Sequence, residues 1–124
     1  MKKTVLIVLS VIFTCAIFIA IPSCEYKKQD ELYCDTVQVT YTTTIIPILQ
    51  NNCYRCHGKS SSGGSGGIVL EEYSVLKTYA ADGRFYGNVA HLPNYIPMPY
   101  DGGMLTNCEI LKIKSWVDKG YPNN

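Results

Sequence analysis

The chain has 124 residues and a net charge of +1, which is enough for one domain and lacks the basic surplus that nucleic-acid binding requires. Charged residues are sparse, ten of the aromatic side chains are tyrosine, and there is no internal repeat or long run of like charge. Composition therefore excludes a polyelectrolyte binder and a repeat array, and leaves a small single unit.

The first two dozen residues differ from the rest. Lys2 and Lys3 give a short basic start, and residues 4–21 are apolar apart from Thr4, Ser10 and Thr14, with no charge. That is the layout of a secretory signal. The run almost reaches the ~20 residues needed to span a bilayer, so an uncleaved anchor is the rival reading. The stretch I-P-S-C then places Cys24 directly after the apolar segment. It resembles the lipobox of bacterial lipoproteins, with Ile21 at the usual leucine position and Pro22 as an unusual neighbour. The resemblance implies a signal over residues 1–23, a lipid on Cys24, and a mature chain outside the cytoplasm, tethered to a bacterial membrane. Without Lys2 and Lys3 the mature chain carries a net charge near −1. A domain of that size gains from a crosslink or a large bound group.

Residues 24–35 read as a tether, polar and charged between Glu25 and Tyr33. Residues 36–44 are rich in threonine, valine and tyrosine, which predicts an extended segment. A short helix is expected from about Thr44, with Ile45, Ile48 and Leu49 on one face and Pro47 in the first turn. Residues 59–67 are serine and glycine and read as a flexible surface loop. They are no phosphate loop, because Ile68, Val69 and Leu70 follow where a lysine and a hydroxyl would be needed. Tyr73, Leu76 and Ala80 predict a helix over residues 70–80, ended by Asp82 and Gly83. Residues 91–103 hold three prolines and read as an ordered irregular segment. The clearest helix spans residues 106–119: Thr106 and Glu109 have capping-box spacing, Ile110, Ile113 and Val117 share a face, and Gly120 stops it. The expectation is an all-α domain over residues 36–124, with three or four short helices.

Within this frame one pentapeptide carries chemistry: C-Y-R-C-H at residues 53–57. A structural zinc site wants four ligands, commonly in two close pairs. Cys53, Cys56 and His57 offer three, two of them adjacent, and Cys34 and Cys108 each stand alone. A thioredoxin-like dithiol needs a strand before it and an α/β pattern around it, and neither is present. The third reading is covalent haem c, of which C-x-x-C-H is the attachment signature. Two thiols add to the two vinyl groups of one porphyrin, so they must be close and in fixed order. The histidine follows at once because its ring must reach the iron from the same turn.

A histidine-held iron has a sixth position, and its occupant decides function. Met98 stands in Y-I-P-M-P, where flanking prolines fix the backbone and suit a ligand that must hold a thioether in place. Core packing is its plainer reading. His91 is the runner-up as sixth ligand, or else a partner of the haem carboxylates or a surface residue. Met104, between Gly103 and Leu105, is expected only to pack.

These motifs together resemble a known family. From about residue 44 to residue 124 the chain looks like a small bacterial mono-haem class I cytochrome c of the lipoprotein type. The likeness rests on C-x-x-C-H-G at residues 53–58, P-M-P at residues 97–99, and W-V-x-x-G-x-P-N-N at residues 116–124. It implies an all-α fold around one covalent haem, with first and last helices crossed beside it and Trp116 at the crossing. Residues 36–44 and the long serine-glycine loop depart from the family pattern.

Cys15 leaves with the signal, so Cys34 and Cys108 remain. They are expected to pair in an oxidising compartment, two separate buried thiols being the alternative. The function expected is single-electron transfer between membrane redox complexes that donate and accept, by a monomer or a subunit of a respiratory complex, and not catalysis. The alternatives are a peroxidase-like enzyme or sensor with an open sixth site, and a haem-bearing subunit that relays electrons within a larger assembly.

Overall fold

The computed structural model describes residues 34–124; the signal over 1–23, the lipid site Cys24 and the tether as far as Tyr33 lie outside the described residues. Among the described residues every regular element is helical, as expected for an all-α domain. Five α-helices follow one another: α1 (Ile46–Asn52), α2 (Tyr54–His57), α3 (Tyr73–Ala81), α4 (Arg84–Val89) and α5 (Asn107–Asp118).

The chain starts differently from the extended segment expected over residues 36–44. Residues 36–39 form no regular element and bend at Val37 and Gln38, and Thr40 is extended. A single π-helical turn, Tyr41–Ile45, then runs directly into α1. Thr40 caps it, its side-chain oxygen accepting from the Thr43 amide at 3.1 Å. The remaining free amides of this first turn find partners far away. Tyr41 N–H donates to the Asn124 side-chain oxygen at 2.9 Å, and Thr42 N–H to the Asn124 carbonyl at 2.9 Å. Helix starts leave such donors unsatisfied, and here the last residue of the chain satisfies two of them. The P-N-N ending thus has a local physical task.

Helix α3 begins three residues later than the spacing of Leu70 suggested, after Glu72 in an extended conformation. Gly83, at φ 81°, makes the left-handed turn that Asp82-Gly83 predicted. The turn leads at once into α4, a helix too short for periodicity to reveal. Helix α5 follows its sequence signals closely. Thr106 and Glu109 form the reciprocal capping box, and Gly120, at φ 83°, follows its end.

Trp116 lies at the centre of the core and is fully buried with Ile45, Leu49, Leu76 and Ile113. Tyr41 stacks on its ring at 5.8 Å, while Phe85 and Tyr121 meet it edge-on at 6.2 and 6.3 Å. The indole N–H donates to the Pro122 carbonyl at 2.9 Å, so no polar atom is orphaned by the burial. Val39 and Tyr41 belong to this core, which gives the threonine-rich segment a packing role its composition hid. Residues 36–37 also lie against α5: Ser115 donates to the Thr36 carbonyl at 2.7 Å and Lys119 to the Val37 carbonyl at 2.6 Å. The Cys34–Cys108 disulfide, expected from the sequence, fastens this segment to the first turn of α5, with Cα atoms 5.4 Å apart.

Candidate cofactor cavity

A cavity of about 810 Å³ opens between α2, α4 and the loop after it. That size lies within the roughly 300–1,000 Å³ of cofactor pockets. Cys53, Cys56, His57 and Met98 all line it, so the four residues singled out in the sequence converge although Met98 is 41 positions beyond His57.

The pentapeptide is presented on a single helical turn. Cys53 N–H closes onto the Leu49 carbonyl at 2.8 Å, carrying the chain over from α1, and His57 N–H closes onto the Cys53 carbonyl at 2.8 Å. Both cysteines and the histidine therefore share one rigid turn. Gly58 must follow: a Cβ there would lie 2.7 Å from the Tyr54 carbonyl oxygen. Among the described residues no three His, Cys, Asp or Glu side chains gather as a metal-ion cluster. Cys53, Cys56 and His57 line the same cavity.

His57 is held by its second nitrogen. Nδ1–H donates to the Ile68 carbonyl at 3.0 Å, which fixes the ring orientation and leaves Nε2 with a lone pair for a metal. The Ile68 carbonyl reaches this position because the serine-glycine loop turns back on itself. Its base is closed by Leu70 N–H on the His57 carbonyl at 2.9 Å, and Ser65 Oγ donates to the same Ile68 carbonyl at 3.1 Å. The loop read from composition as a surface insertion is thus the arm that orients the histidine, and Gly64 and Ser65 form part of the cavity wall.

The two cysteines differ in environment. Burial, reinforced by the nearby Glu109 carboxylate, pushes the Cys53 thiol up to about 12, whereas Cys56 is exposed. Ile68, Leu70, Phe85, Val89 and Ile96 supply apolar wall. Arg55 and Arg84 line the cavity, each beside a carboxylate, Arg55 Nη2 donating to both carboxylate oxygens of Asp101 at 2.6 Å and Arg84 paired with Asp82. Arg84 also lies over the Tyr79 ring at 3.9 Å.

His91, the alternative sixth ligand, is not among the lining residues; its Nε2 lies 3.1 Å from the Met98 carbonyl oxygen. Met104 is 51% exposed and does not pack in the core as expected. Phe85, Asn88 and Val89 were missed in the sequence because α4 itself was. Two thiols, an imidazole nitrogen with a free lone pair and a thioether line the cavity together, a donor set with which a cofactor could be held. No family model, curated protein or solved structure matches this chain.

Proposed function

We propose that this protein is a c-type cytochrome of the class I type: a single haem c, joined to Cys53 and Cys56, is ligated by His57 and Met98, and the protein carries single electrons between membrane redox partners. The observation that carries this reading is the meeting of C-x-x-C-H and the proline-flanked methionine on one cavity of cofactor size.

The bound haem would supply a one-electron ferric/ferrous couple, the potential of which the protein sets. Cys53 and Cys56, on one helical turn, would hold the group by thioether bonds. His57, tied through Nδ1 to Ile68, presents Nε2 as a neutral ligand. Met98 supplies a thioether sulfur, which raises the potential relative to harder ligands. Phe85, Val89, Ile68, Leu70 and Ile96 keep water away and disfavour the more highly charged ferric form, which raises the potential further. Arg55 and Arg84, paired with Asp101 and Asp82, would have to exchange those partners to hold the porphyrin's carboxylates. With His57 and Met98 both holding the group, the role would be transfer and not catalysis. Ile96 and Tyr100 line the cavity and are 61% and 85% exposed, so a partner approaching the rim meets apolar surface. Lipid on Cys24 would confine the carrier to a bacterial membrane, on its outer or periplasmic side.

The test is expression in a host competent for covalent haem attachment. The purified protein should be red, with the mass of one haem added to the mature chain. Its ferric spectrum should show the weak long-wavelength band of iron–thioether ligation, and Met98→Ala should abolish that band. A colourless product refutes the cofactor; a high-spin ferric spectrum in the unaltered protein refutes the electron-carrier role in favour of an open-site enzyme.

A further inference from the structure

The loop that bears Met98 is short of ways to hold itself. Neither Pro97 nor Pro99 has an N–H, so Met98 contributes the one backbone donor of P-M-P. That donor goes to the Asn88 carbonyl of α4 at 3.0 Å, and the same carbonyl accepts from His91 N–H at 3.3 Å. The Met98 carbonyl accepts from His91 Nε2–H at 3.1 Å. Both polar groups of the Met98 backbone are therefore tied to the end of α4. The loop is further seated by Leu92 N–H on the Gly87 carbonyl at 3.0 Å, and by the Tyr95 ring lying where a Cβ on Gly87 would be. His91 itself sits at φ 51°, a left-handed conformation uncommon outside glycine and several-fold enriched in Asn, Asp and His. The backbone adopts it where the chain leaves α4 and the imidazole turns back to the methionine.

Resting on the haem reading above, we infer that His91 is a positioning residue for the sixth ligand: it holds the Met98 carbonyl, and so keeps the thioether on the iron, without itself binding metal. Asn88 and His91 form a two-point clasp on one residue. Releasing the carbonyl leaves Met98 fixed through its N–H alone and lets the side chain leave the iron more often. A bond of this kind contributes enough to shift such an equilibrium several-fold.

The experiment compares the haem-loaded unaltered protein with His91→Leu and His91→Gln. The readout is the affinity of the ferric protein for added imidazole, which binds only when Met98 is displaced. His91→Leu should bind imidazole about three- to tenfold more tightly. His91→Gln, which keeps an N–H donor at similar reach, should stay within about twofold of the unaltered protein. Rescue by glutamine separates the hydrogen bond from a general loss of packing. Equal affinities in all three proteins overturn the inference, as does a glutamine variant as loose as the leucine one. Independently of any variant, a long-range nitrogen NMR spectrum of the unaltered protein should show the His91 ring protonated at Nε2 and not bound to iron; the other tautomer, or an iron-bound ring, also overturns it. If the unaltered protein carries no haem, the cofactor reading falls and this inference with it. If haem is present and the variants are unaffected, only the inference falls.

Discussion

Cutting the Cys34–Cys108 bridge tests how this small domain is held together. The bond closes a loop over a sequence separation of 74 residues, and the loop-closure entropy it removes from the unfolded chain is worth about 4.4 kcal/mol at 25 °C. The substitution removes none of the segment's other native contacts directly: Ser115 on the Thr36 carbonyl, and Val39 and Tyr41 in the core. The loss should therefore fall on the unfolded state. For a unit of roughly 90 residues the unfolding entropy converts such a loss into about 20 °C of melting temperature. The assay is thermal unfolding followed by far-ultraviolet circular dichroism, comparing the unaltered protein with Cys34→Ser, Cys108→Ser and the double variant in the same cofactor state. Both single variants should fall by nearly the same amount as the double, because each breaks the same bond. Without reductant, alkylation and intact mass should show neither Cys34 nor Cys108 modified. A fall of less than about 5 °C, or singles that add to make the double, would refute the argument that loop closure is what the bridge supplies.

Cofactor-free chain treated with iodoacetamide at pH 8 should be modified at Cys56 well before Cys53. With the Cys53 thiol pushed up to about 12, roughly one molecule in 10⁴ carries its thiolate at that pH; equal rates by peptide mass mapping would contradict the burial assigned to it. Gly87→Ala should lower stability by about 1–3 kcal/mol, because the new methyl overlaps the Tyr95 ring and the loop must lift from α4. Denaturant unfolding reads this, and an unchanged midpoint would mean that Tyr95 does not rest on that glycine.

What the sequence made legible was whatever is local. The capping box of α5, Ile110 and Ile113 of its buried face, and the C-x-x-C-H turn all sit within a few residues of the pattern that announces them, although Trp116 and not the expected Val117 completes that face. Met98 could be chosen because two prolines mark it. The rest depended on contacts between distant residues. Asn124 caps a turn 83 positions earlier, and nothing near Tyr41 signals that a helical start there would find acceptors, so the threonine run read as extended. Helix α4 has six residues, too few for a 3.6-residue period to stand out from the loop that follows. The serine-glycine loop looked featureless because its function resides in one backbone carbonyl, that of Ile68, which every residue type possesses. His91 was weighed as a ligand from its chemistry alone; only the folded chain shows its nitrogen on the Met98 carbonyl.

Placing the chain's one tryptophan behind the cavity wall, separated from it by the ring of Phe85, gives the molecule an internal lamp. In the unloaded protein the sealed indole should fluoresce at short wavelength. A visible-absorbing chromophore held in the cavity that Phe85 lines would drain that emission. Loading would then darken the protein and denaturation would relight it, so that occupancy and unfolding can each be followed by one optical signal from a residue the fold already provides.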